Sequence, residues 1–499
     1  MNALKTIIST FSTDESQRFV TFLGKKNRRH GTKNIQLFNL ILNEDLSSKE
    51  LCYKLYGKGN ENAYHALRKR LYRSIIDFTA NNSLEEENSV DMEIIKYILA
   101  SRNFLKNRQF KAAYKVLNKA EQLAEEHHLF SLLNEIFHTQ IQYAYAYPSV
   151  NIDSVIAKFE ENKENHLLED KLNIVYAKIR SSINKGEVND FQTILDTTLA
   201  EYNIGLKNSM SFKSLYQLTT IVGISAFATN DYLNLEPFLL DTYKYIQNHK
   251  NKEKQLYYHI QILYLIANTL FRNKKLEQSC EYLNKMHEQM LAQKSKYYST
   301  FKLKYHLLLA LNYNYLNRQN EAIALLAPII GTKHTDLESF LDIHLSLIMF
   351  YFQKNDLKKA YSLFSKFYHS DHWYTEKVGV EWLIKKNLME ILLHIELKNI
   401  DLAESRILSF KRHHSKYLKD IGQQRALTYL NLVEYYYKNP ETVTSDSFKT
   451  KVKNSFKWIE AKKEDIFVMS FYAWLKSKME QSNIFETTLA LIKKAQLQK

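Results

Sequence analysis

The sequence predicts an all-α protein built from helical hairpins, and three observations lead to this fold class. The 499 residues include only ten glycines and four prolines, far below the roughly 7% and 5% typical of folded proteins. Apolar residues recur at helical spacing, as at Leu263, Ile266 and Leu270. A polar turn followed by a small residue also recurs, with a period of roughly 40 residues. These features predict long helices joined by short turns.

The composition also limits the classes of function. Catalytic α/β folds need glycines for phosphate loops and tight turns, and the sequence contains no GxSxG, HExxH, P-loop or GxGxxG motif. We therefore expect a protein that is not an enzyme and uses no cofactor or metal. The only two cysteines, Cys52 and Cys280, lie far apart in sequence, which favours a reducing compartment. The absence of a signal peptide or long apolar run predicts a cytoplasmic protein without membrane contact.

Residues 1–80 are predicted to form a basic N-terminal module, with helices at about 13–23, 34–43, 47–56 and 61–79. This segment holds 14 lysine and arginine residues against 7 aspartate and glutamate residues, within a net charge of +15 for the chain. Ser47 and Glu50 have the spacing of a capping box. The last helix should bury one apolar stripe, formed by Tyr64, Leu67, Leu71, Ile75 and Phe78.

A short helix, a glycine turn and a basic helix are similar to a DNA-binding helix-turn-helix. Contacts to DNA or RNA would then come from a basic loop and from the outward side of the last helix. The candidate residues are Lys25, Lys26, Arg28, Arg29, His65, Arg68, Lys69, Tyr72 and Arg73. The alternative is a polar cap for the following repeats, or a site that docks a protein. Residues 81–90 read as an acidic linker.

Residues 91–499 are predicted to form the repeat array. Each unit has a polar turn, an apolar residue and then a small residue three positions on, and the clearest markers of that small residue are Ala113, Ser279, Ala322, Ala360 and Ala403. The last four markers lie 43, 38 and 43 residues apart. Paired helices approach most closely just after the turn, where a large side chain would separate them. Weaker copies fall at Val155, about Phe191, Leu235 and Thr487, and one more is expected near Ser447. About ten hairpins are expected.

The stretch LNRQNEAIALLAPII, residues 316–330, resembles the second helix of a tetratricopeptide repeat. That family has a 34-residue repeat, so the longer period here implies longer helices. The resemblance implies a right-handed α-solenoid with a concave face that binds peptides. Bacterial regulators that join an N-terminal DNA-binding module to such an array are similar in organisation.

We therefore predict a non-enzymatic interaction or scaffold protein that binds a peptide or protein segment of acidic character on the concave face. Tyrosine, asparagine and lysine suit such a groove, and Lys304, Asn312 and Asn314 are its candidate residues. The alternative is a transcriptional regulator that binds nucleic acid through the N-terminal module. The solenoid would then be a sensor or an arm for homo-oligomerisation.

One stretch, YHSDHWYTE at 368–376, places His369, Asp371, His372 and Glu376 close together. Histidine and carboxylate side chains are zinc ligands, but no further ligand with suitable spacing is evident. A polar loop with packed aromatic residues is the favoured interpretation of this stretch.

Overall fold

The computed structural model is helical throughout its described parts. It describes residues 3–8, 11, 13–26, 33–44, 46–57, 60–86, 90–184, 197, 199–204, 212–229, 232–247, 255–332, 334, 336–420, 424–455 and 464–497. No strand occurs in these ranges, so the predicted all-α class is confirmed for them. None of the helices within them is long and apolar enough to span a membrane. The chain divides into two compact units, residues 1–163 and 164–499.

Unit 1 begins with helices close to the predicted ones. Its helices are α1 Ala3–Ile8, α2 Thr13–Lys26, α3 Lys33–Asn43, α4 Ser48–Tyr56, α5 Glu61–Glu86, α6 Val90–Lys106, α7 Phe110–Glu126 and α8 Phe130–Tyr143, and α9 Ile152–Asn184 begins within it. Helix α5 continues seven residues past its predicted end at 79, because no glycine or proline interrupts it. Residues 81–86 of the expected linker are therefore helix, and 87–89 lie outside the described residues. The division between the units, within α9, also differs from the expected domain boundary near 90.

The core of unit 1 forms around the stripe predicted on α5. All five stripe residues are buried, and they pack with Phe19 of α2 and Phe38 of α3. The capping box of α4 is present, with the Ser47 side chain accepting from the Glu50 amide and the Glu50 carboxylate accepting from the Ser47 amide. Burial of one face leaves the other side of α5 in solvent.

Unit 2 contains the remaining helices. They are α10 Phe212–Thr229, α11 Tyr232–Gln247, α12 Leu256–Arg272, α13 Leu276–Ser295, α14 Tyr298–Tyr315, α15 Gln319–Leu326, α16 Leu337–Gln353, α17 Leu357–Phe364, α18 Asp371–Val378, α19 Val380–Glu396, α20 Ile400–Asp420, α21 Gln424–Lys438, α22 Asp446–Ser455, α23 Ile466–Glu480 and α24 Ile484–Leu497. Four consecutive hairpins, α12–α13, α14–α15, α16–α17 and α19–α20, have the same internal register.

The same turn joins the helices of α6–α7 in unit 1 and of these four hairpins in unit 2. One residue of each turn has a left-handed conformation with φ between 56° and 62°, and these residues are Arg108, Lys274, Asn317, Asn355 and Lys398. The backbone N–H of the residue after the left-handed one donates to a carbonyl of the last helical turn. An example is the Arg318 N–H, which donates to the Tyr313 carbonyl at 2.8 Å. This is the hydrogen bond of a Schellman motif. Lysine, arginine or asparagine takes the place usually held by glycine, which accounts for the low glycine content.

The small residues that mark the repeat occupy one structural position. Ala113, Ser279, Ala322, Ala360 and Ala403 are each the fourth residue of a second helix, and each is fully buried. Val155, Leu235 and Thr487 are also fourth residues of helices, whereas Ser447 is the exposed second residue of α22. Phe191 lies outside the described residues. The right-handed superhelical arrangement of about ten hairpins stays a prediction.

Candidate binding surfaces

Helix α23 does not pack only on its neighbours in sequence. It contacts the first helices of the four hairpins of unit 2, each at the residue two positions before the left-handed turn residue. The contacts are Arg272 with Asp465 at 2.5 Å, Tyr315 with Ser470 at 3.2 Å, Gln353 with Ser470 at 3.3 Å, and Glu396 with Trp474 at 2.7 Å. We call this side of α12, α14, α16 and α19 the α23-facing side.

The apolar residues of α23 are enclosed by unit 2. Ile466 and Met469 pack with residues of α12 and α14, whereas Phe471, Trp474 and Leu475 pack with residues of α16, α19 and α21. Trp474 is 1% exposed and its indole N–H donates to the Glu396 carboxylate. Helix α23 therefore combines an apolar interface with polar contacts to each hairpin.

The structure removes two residues from the predicted peptide groove. Asn312 and Asn314 are fully buried. The Asn312 amide donates to Ser279 Oγ at 3.0 Å, and the Asn314 amide donates to Gln353 Oε1 at 3.1 Å. Asn312 therefore faces α13, and Asn314 faces α16. A bound peptide could not reach them in this conformation.

A second set of equivalent positions remains accessible on the α23-facing side. The residue eleven positions before each contact residue lies about three helical turns away, and it is therefore on the same side of the helix. These positions hold Gln261, Lys304, Asp342 and Lys385, one from each of the four hairpins, and all four are partly buried. We call these four residues the polar row. It includes Lys304, the third residue predicted for the groove.

The three charged residues of the polar row alternate in sign, in the order Lys304, Asp342 and Lys385. Burial raises the pKa of Asp342 to about 6, and the Trp382 indole N–H donates to its carboxylate at 3.0 Å. The Lys385 ammonium lies 5.5 Å from the centre of the Phe467 ring, at the start of α23. Neither Lys304 nor Lys385 forms an ion pair in the part of the chain that the structure describes. The Lys304 ammonium is therefore available to an anionic ligand, whereas the charge of Lys385 already acts on the Asp342 and Asp465 carboxylates.

In unit 1, helix α5 presents the predicted basic residues on its solvent side. His65, Lys69, Tyr72 and Arg73 are exposed, and Ile76 beside them is 48% exposed. Their spacing places them on one face, opposite the buried stripe. Among the described residues, Lys69 and Arg73 have no ion-pair partner. This face carries positive charge and exposed apolar groups.

Other residues predicted to bind nucleic acid are less available. Lys26 forms an ion pair with Asp77 of α5 at 2.5 Å. Arg68 is partly buried against the Tyr64 ring. The remaining candidates are Lys25, which is exposed, and Arg28 and Arg29, which lie outside the described residues.

The stretch 368–376 folds mostly into α18 and is not a loop. His369 stacks on Trp373 with ring centres 3.9 Å apart, and His372 lies 3.5 Å from Glu376. No group of three or more histidine, cysteine or acidic residues suited to a metal ion occurs in the ranges that the structure covers. The aromatic packing was expected, but the prediction of a loop was wrong, because Ser370 caps a helix that begins at Asp371.

Sequence reasoning missed the role of α23. A signal was present, because FVMSFYAWLKSKME has apolar residues on nearly all sides of the helix. Such a helix is usually enclosed by other elements. Only the contacts of Asp465, Ser470 and Trp474 show which elements enclose it.

No family model matches the chain, and no curated protein is significantly similar to it in sequence. The resemblance to tetratricopeptide repeats therefore stays a prediction from the repeat pattern.

Proposed function

We propose that this is a non-enzymatic binding protein that holds an extended segment of a partner protein across the polar row of unit 2. The observation that carries the proposal is the position of Lys304, Asp342 and Lys385, which are partly buried at equivalent positions of three hairpins. Charges at such depth are less screened than charges on an open surface. They therefore suit the selection of a charged ligand.

The geometry specifies a charge pattern for the ligand. Packed helices lie about 8–10 Å apart, and an extended chain advances about 3.3 Å per residue. Neighbouring positions of the row would then be about three ligand residues apart. A segment with the pattern acidic-x-x-basic-x-x-acidic would place carboxylates at both lysines and a cation at Asp342. This agrees with the acidic partner expected from the sequence.

The test uses a labelled peptide with the pattern Glu-x-x-Lys-x-x-Glu and a control peptide with the opposite charges. Fluorescence anisotropy with the full chain should show preferential binding of the first peptide. The triple variant Lys304→Glu, Asp342→Lys, Lys385→Glu should reverse the preference, because it inverts every charge of the row. We expect at least a tenfold change in the ratio of the two dissociation constants, roughly 1.4 kcal/mol.

The control variant is Lys302→Glu, which changes an exposed lysine of α14 outside the row. It should leave the preference unchanged. Equal affinity for both peptides in the wild-type protein, or an unchanged preference in the triple variant, would exclude binding at the polar row.

A second function, nucleic-acid binding, is favoured by a different observation. The outward face of α5 holds Lys69 and Arg73 without ion-pair partners among the described residues, with Tyr72 exposed between them. Cations bind phosphates, and an exposed tyrosine can stack on a base or contact a sugar. This proposal concerns unit 1 alone.

The test is a salt titration with duplex DNA and with single-stranded RNA. Binding that weakens steeply with salt, and is lost in the variant Lys69→Glu, Arg73→Glu, would support the proposal. The variant Lys111→Glu, Lys115→Glu makes the same charge change on exposed residues of α7 and should retain binding. Equal losses in both variants would indicate only a general effect of net charge.

A further inference from the structure

The last hairpin of the chain, α23–α24, has the features of a bound segment. It has its own left-handed turn residue, Gln481, and its own buried fourth residue, Thr487. A hairpin that extends an array packs on its neighbours. Helix α23 does contact its neighbour α21, where the Tyr429 hydroxyl donates to the Phe471 carbonyl at 2.9 Å, but Asp465 also reaches Arg272, which lies 193 residues earlier in the chain. The hairpin crosses the α23-facing side of four others.

The contacts to α23 repeat with the hairpins. Arg272, Tyr315, Gln353 and Glu396 share one register position, and each offers a different polar group to one side of α23. A set of equivalent positions that contacts a single helix is how a repeat array recognises a helical ligand. The apolar residues between these contacts supply burial, and the polar groups fix the orientation of the helix.

Both ends of α23 are also fixed, by the hairpins and by α21. The Lys274 ammonium donates to the Glu464 carbonyl at 2.6 Å, and Arg425 forms an ion pair with the Glu464 carboxylate. Near the C-terminal end, Lys478 forms an ion pair with Glu396 at 2.6 Å. The interface therefore recognises the whole length of the helix.

We infer that the α23-facing side is a docking surface for a helical hairpin, and that α23–α24 is its tethered occupant. The partner that fits is a second copy of the same segment, residues 464–497, because the polar contacts match its Asp465, Ser470 and Trp474. When the tethered hairpin is weakened, an identical segment supplied from outside takes its place. This inference does not rest on the polar row or on α5.

The experiment changes only the tethered occupant and leaves the docking surface intact. The full-length variant Asp465→Ala, Trp474→Ala weakens the hairpin that is present in the chain. A labelled synthetic peptide with the wild-type sequence 464–497 is then titrated against the variant and the wild-type protein. We expect at least tenfold tighter binding to the variant, because its own hairpin competes less well for the same surface.

A third protein establishes where the peptide binds. Adding Glu396→Gln to the variant removes the charged acceptor for Trp474 and Lys478 of the peptide and should weaken binding again. Lys302→Glu, added in the same way, should have no effect. The peptide should also raise the thermal midpoint of the variant and not that of the wild-type protein.

Circular dichroism and the thermal midpoint also distinguish a variant that folds poorly. A variant that loses its helical circular dichroism and does not regain it with peptide would show that α23 is an inseparable part of the core. Equal affinity of the peptide for variant and wild type, or no effect of Glu396→Gln, would also overturn the inference.

Discussion

His344 on α16 should make the stability of the protein depend on pH. The side chain is 4% exposed, and its Nε2–H donates to the Leu363 carbonyl at 3.1 Å. The ring also lies near Phe367, with ring centres 4.6 Å apart. A protonated ring would be costly in this apolar site, and burial lowers the pKa of His344 from 6.5 to about 4.

The size of the effect follows from the two pKa values. In the unfolded chain His344 takes up a proton as the pH falls below about 6.5, whereas in the folded protein it stays neutral down to about pH 4. Its contribution to the free energy of unfolding is therefore complete above pH 6.5 and is lost as the pH falls to about 4. A difference of this size corresponds to about 3 kcal/mol.

Asp342, two residues earlier on the same helix, has the opposite effect. Burial raises its pKa from 3.8 to about 6, so the folded protein holds a proton that the unfolded chain releases. Its contribution is greatest below pH 3.8 and is lost as the pH rises to about 6, again by about 3 kcal/mol. The contributions of His344 and Asp342 oppose each other over nearly the same pH range.

Urea unfolding at several pH values, followed by circular dichroism, separates the two contributions. The variant His344→Gln keeps an N–H donor at this position, but its side chain cannot be protonated. The difference in the free energy of unfolding between this variant and the wild type should therefore change by about 3 kcal/mol between pH 4 and 6.5. Asp342→Asn should give a change of similar size and opposite sign. Other buried histidines cancel in these differences. A difference that stays constant with pH for either variant would refute the reasoning for that residue.

Three further predictions concern the hairpins and a thiol. Ala113→Leu should destabilise the protein by about 1–3 kcal/mol in urea unfolding, because the residue is fully buried beside the turn, whereas Ala112→Leu on the exposed side should be nearly neutral. Lys398→Gly should raise stability by about 1 kcal/mol, because its φ of 58° suits glycine, whereas Lys416→Gly inside α20 should lower it by a similar amount. Cys280, whose pKa burial raises to about 11, should react with iodoacetamide much more slowly than a free thiol, and rapid alkylation of the folded protein would contradict this.

The sequence contained enough information to locate the turns of the hairpins. Ala322 and Ala360 are small because two helices that are adjacent in sequence pack closely at these positions. Local constraints of this kind leave a local pattern. For the same reason the buried stripe of α5 could be assigned from its spacing alone.

Contacts between distant segments left no such pattern. Asn312 and Asn314 are polar residues on a long helix, and only their partners Ser279 and Gln353 explain why both are buried. The helix α5 was predicted to end too early because its polar residues after 80 resembled a linker. Of the polar row, only Lys304 was predicted from the sequence. The other members can be recognised as equivalent positions only when the structure shows where each turn lies.

The position of α23 has a consequence for the biosynthesis of the protein. Arg272 leaves the ribosome 193 residues before Asp465, which takes roughly 10–40 s at about 5–20 residues per second. During that time the earlier helices of unit 2 can form, but the apolar strip that α23 will cover stays open to water. The nascent chain should therefore be a client for chaperones that bind exposed apolar surface, until translation supplies the helix that covers it.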